Sequence, residues 1–580
     1  MQTLLNYVQH EATLAIQRAF PELSAADAAA DVAISEFGHY QCNSALRLSK
    51  LLKTNPRAVA QALIDSLDKT FTSVCSQIDI AGPGFINITF TAQFLSQQLS
   101  QVLNDPKLGL PRPHSRKKVI VEFSSPNIAK ELHVGHLRST IIGDCLARLF
   151  EFFGHDVLRL NHVGDWGTQF GMLITYMQEH APKALRGEES IDLAGLLSMY
   201  RASKKQFDDD AIFKKKAQLE VVKLQSGDPV SMKAWKLICD ISRKGFQEIY
   251  DLLDVKLSER GESFYNPFLK EVVQELEQKG LITVSDGAKC VFLDEFKNRD
   301  GEQLPLIVQK SDGGYNYDTT DLAAVRYRIQ VDHADRMIYV VDAGQSLHFQ
   351  MVFAAAEKAG WLDRKKTEVD HVPFGLVLGT DGKKFKTRSG DTEKLIDLLH
   401  EAISEAKRIL LERNPEADPA QTERLAHVLG IGAVKYADLS SHRTKDYTFS
   451  YERMLRFDGN TAVFLLYAYV RICGIKRKIG ADMQRVSAEH KIHLEHPSEI
   501  ALGLHLRRFG ELLESVARDL LPNRLAEYLY VLAEKFNAFF RDCRVEGSAE
   551  EGSRLLLCEL TARVLKQGLE ILGLETVDRM

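Results

Sequence analysis

The hydrophobic positions between residues 119 and 154 predict one strand that leads directly into one helix. Val119–Phe123 is a β-branched and aromatic run interrupted only by Glu122, which is typical of a buried strand. After a Ser-Ser-Pro turn, apolar residues recur at three- and four-residue spacing from Leu137 to Phe153. Gly154 stands where a helix C-cap is expected. The segment therefore predicts a strand, a turn and a helix with one face buried against a sheet.

The start of this predicted helix carries His133, Gly135 and His136. Backbone N–H groups lack intrahelical partners there, and the helix dipole favours a bound anion. The two imidazoles project from one side and can both donate to phosphate oxygens, while Gly135 lets a flat base lie against the backbone. Spacing alone also fits surface or metal-binding histidines. The preceding strand and the intervening glycine favour a nucleotide site.

The hydrophobic pattern of residues 1–112 predicts a small α+β domain. A helical stripe begins at Leu4, and strand-like alternation follows at Asp31–Ser35 and Ile78–Phe90. Two prolines and a basic run after residue 110 indicate a domain boundary.

Residues 113–442 predict a Rossmann-like α/β domain. Strand-to-helix units recur at Val157–Val163 and Ile338–Val341, which favours a parallel sheet, and Leu306–Val308 is expected to continue that sheet. The segment from about 182 to 264 has a helical, highly charged pattern and is expected to be an insertion with solvated faces. Residues 443–580 carry long apolar stripes at helical spacing and predict an all-α bundle.

Composition restricts the class of protein. The chain has 580 residues, 45% hydrophobic and 26% charged, and no apolar run long enough to cross a bilayer. Eight cysteines without a C-x-x-C pair predict neither zinc nor any other protein-held metal, and the lack of a signal-peptide pattern leads us to expect a cytoplasmic protein. The net charge of −5 argues against bulk attraction to nucleic acid but allows local basic patches.

Two further places carry candidate chemistry. Tyr317 and Asp321 are four residues apart, so one helical turn can point both into a pocket. A glycine-rich basic loop that contains Lys384 and Lys386 can reach transferring phosphates. Alternative interpretations are a helix-capping Asp and a solvated charge run.

The run EFSSPNIAKELHVGHLRSTIIGD resembles the HIGH signature of class I aminoacyl-tRNA synthetases, in the form of the arginyl-tRNA synthetase family. KFKTR resembles the second class signature, KMSKS, but Thr387 replaces its second lysine. AGPGFINITF resembles the appended N-terminal domain of that family, and the closing run LGLETVDRM resembles its anticodon-binding bundle.

The resemblance implies roles for individual residues. The residues expected to bind ATP are His133, Gly135, His136, Lys384 and Phe385. The catalytic group is expected to be His133, His136, Lys130, Lys384 and Lys386. The expected arginine ligands are Glu122, Asn127, His133, Tyr317, Asp321 and Gln345, with Asp321 on the guanidinium. Phe85 and Asn87 are expected to contact the tRNA elbow.

The resemblance also implies an activity. A monomer is expected to join L-arginine to tRNA(Arg), with ATP as substrate and Mg²⁺ on its phosphates. A cysteinyl-type ligase would share the fold but needs zinc-ligand cysteines. A catalytically inert tRNA-binding relative would lose the two histidines that this chain contains.

Overall fold

The computed structural model describes residues 2–113, 115–383 and 394–580. They form two compact units, one made of Met1–His114 with Arg456–Met580 and one made of Ser115–Leu455. The predicted division into three domains stays a prediction, because the N-terminal part and the C-terminal helices share the first unit. No helix in the described ranges is long and apolar enough to cross a membrane.

The N-terminal part of the first unit is α+β, as predicted. Its sheet has four antiparallel strands in the order β1-β2-β4-β3. The strands are β1 (Val32–Ile34), β2 (Tyr40–Cys42), β3 (Cys75–Ala81) and β4 (Phe85–Phe90). The helices are α1 (Leu4–Ala19), α2 (Ser44–Leu52), α3 (Pro56–Asp65), α4 (Lys69–Ser73) and α5 (Ala92–Leu103).

The second unit is built on five parallel strands, which confirms the Rossmann-like prediction. The strands of the unit are β5 (Lys118–Glu122), β6 (Asp156–Asn161), β7 (Ser258–Glu259), β8 (Thr283–Ser285), β9 (Ala288–Lys297), β10 (Gln303–Gln309), β11 (Arg336–Tyr339), β12 (Glu368–His371), β13 (Val377–Leu378) and β14 (Tyr447–Thr448). The parallel sheet has the order β12-β11-β5-β6-β7. Strand order runs outward in both directions from β5, so the crevice at the carboxyl ends of β5 and β11 is the expected ligand position.

The helices of the second unit lie before, between and after these strands. They are α6 (Val134–Phe153), α7 (Thr168–His180), α8 (Pro182–Arg186), α9 (Leu193–Asp209), α10 (Ala211–Gln225), α11 (Pro229–Leu252), α12 (Glu262–Gln278), α13 (Tyr317–Gln330), α14 (Ser346–Lys358), α15 (Leu395–Arg413), α16 (Pro419–Leu439) and α17 (Tyr451–Met454), with a 3₁₀ turn at Ala343–Gln345. Helices α8 to α11 occupy the segment predicted as a charged helical insertion.

One strand prediction was wrong. Leu306–Val308 does not continue the parallel sheet but lies in β10 of a separate antiparallel sheet, ordered β10-β9-β8. A short buried apolar run is compatible with either kind of sheet, because strand partners are set by connections that periodicity does not show.

The contact between β5 and α6 depends on one glycine. Gly143 lies in the buried face of α6, and a Cβ added there would stand 2.1 Å from Phe123 Cγ. Only a residue without a side chain permits this approach. The helix ends at Gly154, whose φ of 93° is the left-handed conformation expected of a C-cap.

The C-terminal part of the first unit contains six helices, which confirms the predicted bundle. They are α18 (Ala462–Ile479), α19 (Met483–Glu489), α20 (Pro497–Arg507), α21 (Phe509–Asp519), α22 (Asn523–Asp542) and α23 (Glu551–Ile571). Within this unit, buried Glu511 accepts hydrogen bonds from the Leu5 amide at 2.9 Å and the Tyr40 hydroxyl at 2.7 Å. These contacts join residues about five hundred positions apart to one core.

A fully buried ion pair fastens α6 to α16. Arg138 Nε lies 3.1 Å from Asp438 Oδ2, with side-chain exposures of 1% and 0%. The same guanidinium donates to the Lys445 carbonyl at 3.0 Å and lies over the Tyr447 ring at 5.2 Å. The ion pair and the bond to Lys445 therefore connect α6 to α16 and to the segment just before β14, the strand that pairs with β13.

Asp438→Ala should lower the free energy of unfolding by about 3–5 kcal/mol, because it leaves the Arg138 charge buried without its partner. Urea unfolding of the full chain measures this loss. Replacing both partners, as Arg138→Met with Asp438→Leu, should restore most of the stability. Glu412→Ala is the control, since the Arg408–Glu412 pair is 55% and 62% exposed, and its effect should stay within about 0.5 kcal/mol. A similar small loss for Asp438→Ala would contradict the prediction.

Candidate active site

The turn that follows β5 has an unusual backbone. Ser124, Ser125 and Ala129 have φ values of 69°, 45° and 57°, in the left-handed region that costs non-glycine residues about 1–2 kcal/mol each. Side chains of the surrounding elements hold this conformation. Ser139 Oγ accepts from the Ser124 amide at 2.9 Å, and Asn161 Oδ1 accepts from the Ser125 amide at 3.0 Å. The turn is thus fixed by tertiary contacts and delivers the chain to the start of α6.

The two histidines at the start of α6 cap the helix with their own side chains. His133 Nδ1 accepts from the Gly135 amide at 3.0 Å, and His136 Nδ1 accepts from the His133 amide at 3.1 Å. The ring centroids are 4.1 Å apart. Because each Nδ1 is an acceptor, the hydrogen of each neutral ring is on Nε2. The pair therefore presents two N–H donors at the helix N-terminus.

Both rings are neutral at ordinary pH. Burial lowers the pKa of His136 to about 3, with further lowering by His133 and Lys130. Burial and then Lys130 lower the pKa of His133. Two neutral N–H donors can bind a phosphate oxygen through hydrogen bonds and the helix dipole. They carry no positive charge of their own, with phosphate bound or after it has left.

Gly135 has a steric role beyond the one predicted. A Cβ at this position would stand 2.8 Å from His133 Cε1, so the glycine allows the His133 ring to fold back onto the helix start. Asn127 is exposed in the turn and pairs with Gly164, where a Cβ would stand 2.1 Å from the Asn127 amide oxygen. Lys130 is exposed at the same end of the helix.

Glu122 lies at the end of β5 and is 5% exposed. Its Oε2 is 2.6 Å from Nη2 of Arg328, a residue of α13 that is itself 1% exposed. The Arg328 guanidinium also lies 5.1 Å from the centre of the Tyr339 ring. A resident guanidinium therefore already binds the carboxylate that the sequence assigned to substrate arginine.

Asp321 lies on α13, near one histidine of α14 and another that follows β6. Its Oδ2 lies 2.6 Å from His348 Nε2, and its Oδ1 lies 3.8 Å from His162 Nε2. The other nitrogen of His348 lies 3.2 Å from Asp318 Oδ1. Burial lowers the pKa of His348, but its hydrogen bonds to Asp318 and Asp321 outweigh burial and raise the pKa to about 9.

Tyr317 and Gln345 lie beside this acidic group. Tyr317 is 61% exposed and meets the His348 ring edge-on at 5.1 Å. Gln345 is exposed at the end of the 3₁₀ turn that follows β11. Tyr317 of α13 therefore lies against the helix that begins just after Gln345.

Sequence reasoning missed His348, His162 and Glu262. Burial raises the pKa of Glu262 to about 8, with further raising by Asp321 and Asp165, so this carboxyl belongs to the same acidic group. Glu262 opens α12, far from Asp321 in the chain, and no periodicity links the two. Only His348 has a local signal, since it follows Gln345 by three residues on the adjoining helical turn.

The predicted tRNA residues lie in the first unit. Asn87 is 3% exposed, accepts from Gln41 Nε2 at 2.7 Å and donates to Asp79 Oδ2 at 3.3 Å. Its amide is thus engaged within the sheet, while Phe85 is half-buried at the start of β4. Lys384, Phe385, Lys386 and Thr387 lie outside the described residues. Within the described ranges, no group of three or more His, Cys, Asp or Glu could hold a metal ion.

Three family descriptions match the chain in order. "Arginyl tRNA synthetase N terminal domain" matches residues 6–90. "tRNA synthetases class I (R), catalytic domain" matches residues 98–451, and "DALR anticodon binding domain" matches residues 465–580.

Curated relatives and solved structures agree with these matches. Arginine–tRNA ligase of Protochlamydia amoebophila is 61% identical, with 100% of both chains covered, and that of Chlamydia abortus is 52% identical over the same shares. The structure of arginyl-tRNA synthetase from Plasmodium falciparum is 36% identical and has a TM-score of 0.88, with 100% of each chain covered. The parallel sheet and the histidine-capped helix are thus those of a class I tRNA synthetase. Within that class, the chain belongs to the arginyl-tRNA synthetase family.

Acidification should destabilise the second unit through His136. The folded ring stays neutral down to about pH 3, whereas an unfolded histidine binds a proton near its ordinary pKa of 6.5. The unfolded chain therefore gains this proton first, and the contribution to stability should fall by about 1.4 kcal/mol per pH unit below 6.5.

Urea unfolding at pH 7 and pH 5 tests this behaviour. The protein should lose about 2 kcal/mol more than its His136→Gln variant between the two pH values. His400→Gln, which changes an exposed histidine of α15, should behave as the unaltered protein does. Equal losses for the protein and His136→Gln would contradict the assignment.

Proposed function

We propose that this protein charges tRNA with arginine. As in its family, ATP is the substrate that activates L-arginine to arginyl-adenylate, and the arginyl group then passes to the 3′ end of tRNA(Arg), with release of pyrophosphate and AMP. The observation that carries the proposal is that one unit holds both the acidic group around Asp321 and the two neutral histidine donors at the start of α6. A full-length match to arginine–tRNA ligases supports the same reading.

The guanidinium end of arginine would meet Asp321, with Tyr317 as an apolar wall and Gln345 as a further acceptor. A guanidinium is a planar fork of donors, and carboxylate oxygens are its best partners. Glu262 is close enough to Asp321 for the two carboxyls to interact. A bound guanidinium would favour the charged form of Glu262 and lower its pKa.

The other end of arginine would lie beside Glu122, Asn127 and His133. Glu122 would accept from the α-amino group, and its orientation is already fixed by Arg328 at 2.6 Å. Asn127 is exposed in the turn after β5, where it can donate to the arginine carboxylate. These groups surround the position from which that carboxylate would attack the α-phosphate.

ATP would lie against the start of α6. His133 and His136 would donate to phosphate oxygens, and Gly135 would accommodate the nucleotide beside the backbone. Lys130, Lys384 and Lys386 would supply positive charge to the departing pyrophosphate, with Phe385 beside the base. Mg²⁺ bound to the phosphates would neutralise part of their charge. Catalysis here rests on positioning and charge stabilisation, without a covalent protein nucleophile.

The tRNA would contact the first unit, whose C-terminal helices match an anticodon-binding domain. Phe85 and Asn87 would face the tRNA elbow, for which the Asn87 amide must exchange a partner within the sheet. We also propose a monomer and a cytoplasmic location. The location is supported by cysteines that form no disulfide in the part of the chain that the structure describes.

The function is tested by ATP–pyrophosphate exchange with each amino acid, with and without tRNA(Arg). Exchange should depend on L-arginine and, as the resemblance to arginyl-tRNA synthetases implies, on the presence of tRNA(Arg). Exchange driven by another amino acid would contradict the specificity for arginine. Arginine exchange that proceeds at full rate without tRNA would contradict the dependence on tRNA.

Asp321→Ala should raise the arginine KM strongly and leave the ATP KM nearly unchanged. The lost contact is a charged hydrogen bond of about 1.5–3 kcal/mol, which corresponds to a rise of about 10-fold or more. Steady-state exchange at saturating tRNA measures both constants. Asp321→Asn keeps the shape of the side chain but not its charge. Its arginine KM should lie between that of the unaltered protein and that of Asp321→Ala. Equal effects on both KM values would refute the role of Asp321.

Lys130→Ala should lower kcat of tRNA-dependent exchange by about 10²-fold or more, because one positive contact to the transition-state phosphates is lost. In KFKTR, Thr387 stands at the position of the second lysine of KMSKS, so the charge of that position must come from elsewhere. Affinity for tRNA(Arg), measured by filter binding, should stay nearly intact. Lys183→Ala, at an exposed lysine of α8, is the matched control. Near-normal exchange by Lys130→Ala would show that this lysine is only a solvated residue.

A further inference from the structure

His348 connects two carboxylates of the neighbouring helix. Asp318 and Asp321 lie on α13, three residues apart and on one face, and His348 lies in the first turn of α14. His348 Nε2 is 2.6 Å from Asp321 Oδ2, and its Nδ1 is 3.2 Å from Asp318 Oδ1. The side-chain exposures of the three residues are between 10% and 20%.

This geometry is that of a doubly protonated ring between two acceptors. Nε2 is hydrogen-bonded to Asp321, Nδ1 is within ion-pair distance of Asp318, and a carboxylate accepts from an N–H group. The three residues together then hold two negative charges and one positive charge. The group therefore presents one net negative charge to the crevice.

The bridge leaves one oxygen of Asp321 for another donor. Oδ2 is bound to His348, whereas Oδ1 lies 3.8 Å from His162 Nε2, beyond hydrogen-bond distance. The His348 ring is fixed between two aromatic neighbours, Tyr317 at 5.1 Å and Phe349 at 5.2 Å. The direction of Oδ1 is thus set by a ring that cannot easily turn.

We propose that His348 is a positioning residue that determines specificity in the amino-acid pocket. It holds Asp321 through Oδ2 so that Oδ1 meets the substrate guanidinium. It also cancels the charge of Asp318, so that Asp321 carries the net negative charge of these three residues. This inference rests on the proposed function and deepens it.

His348→Gln should raise the arginine KM about 10-fold or more, since Asp321 loses the charged contact that orients it. The ATP KM should change little. Citrulline, the neutral analogue of arginine, cannot form the ion pair with Asp321, so its inhibition constant against arginine should change much less. The preference for arginine over citrulline should therefore fall by about the same factor as arginine binding.

The control variants distinguish the orientation of Asp321 by His348 from other roles of His348. His400→Gln should leave all constants unchanged, and Asp318→Asn, which removes the other half of the bridge, should shift the arginine KM in the same direction by a smaller factor. Thermal unfolding shows whether each variant is folded. If His348→Gln does not fold, Asp318→Asn is the variant used to test the proposal. An equal loss of arginine and citrulline binding would overturn the proposal, as would an increased preference for arginine. Failure of the unaltered protein to exchange with arginine would instead overturn the proposed function.

Discussion

The close approach of α6 to the end of β5 is the constraint on which the site depends. Gly143 lets the helix lie against Phe123, where any Cβ would be 2.1 Å from the ring. Between the strand end and the helix start, the chain turns through left-handed residues at Ser124, Ser125 and Ala129. Hydrogen bonds from neighbouring elements stabilise that strained turn. As a result, Glu122 and His133 lie at one edge of the sheet.

Hydrogen-bond partners give buried histidines of the second unit opposite charge states. At the start of α6, backbone amides donate to the rings, so desolvation dominates and lowers the pKa of His136 to about 3. On α14, carboxylates accept from the ring, so their hydrogen bonds outweigh desolvation and raise the pKa of His348 to about 9. The same residue type therefore supplies neutral N–H donors at the start of α6 and a cation between two carboxylates of α13.

Buried charges are balanced by pairing throughout the molecule. Arg328 neutralises Glu122 beneath the pocket, and Arg138 neutralises Asp438 behind α6. In the first unit, one oxygen of Glu511 accepts hydrogen bonds from a phenol and an amide of the N-terminal part. Each group connects segments that are distant in the chain, and losing one partner leaves a buried polar atom unsatisfied.

The sequence by itself determined the kinds of element and the ligand-binding end of the sheet. Periodicity in residues 119–154 predicted the strand and helix, because burial of one face imposes that spacing. The motifs around His133 and Asp321 then predicted which side chains meet there.

Tertiary structure alone decided the partners of those side chains. Nothing local links Glu122 to Arg328, or Asp321 to Glu262, since these pairs come from strands and helices far apart in the chain. Likewise, the apolar run Leu306–Val308 is compatible with a buried strand in either sheet. The connections of the chain place it in the antiparallel sheet. The local pattern of hydrophobic residues indicates which face of an element is buried. The charge state of a buried group depends on the atoms that other segments place against it.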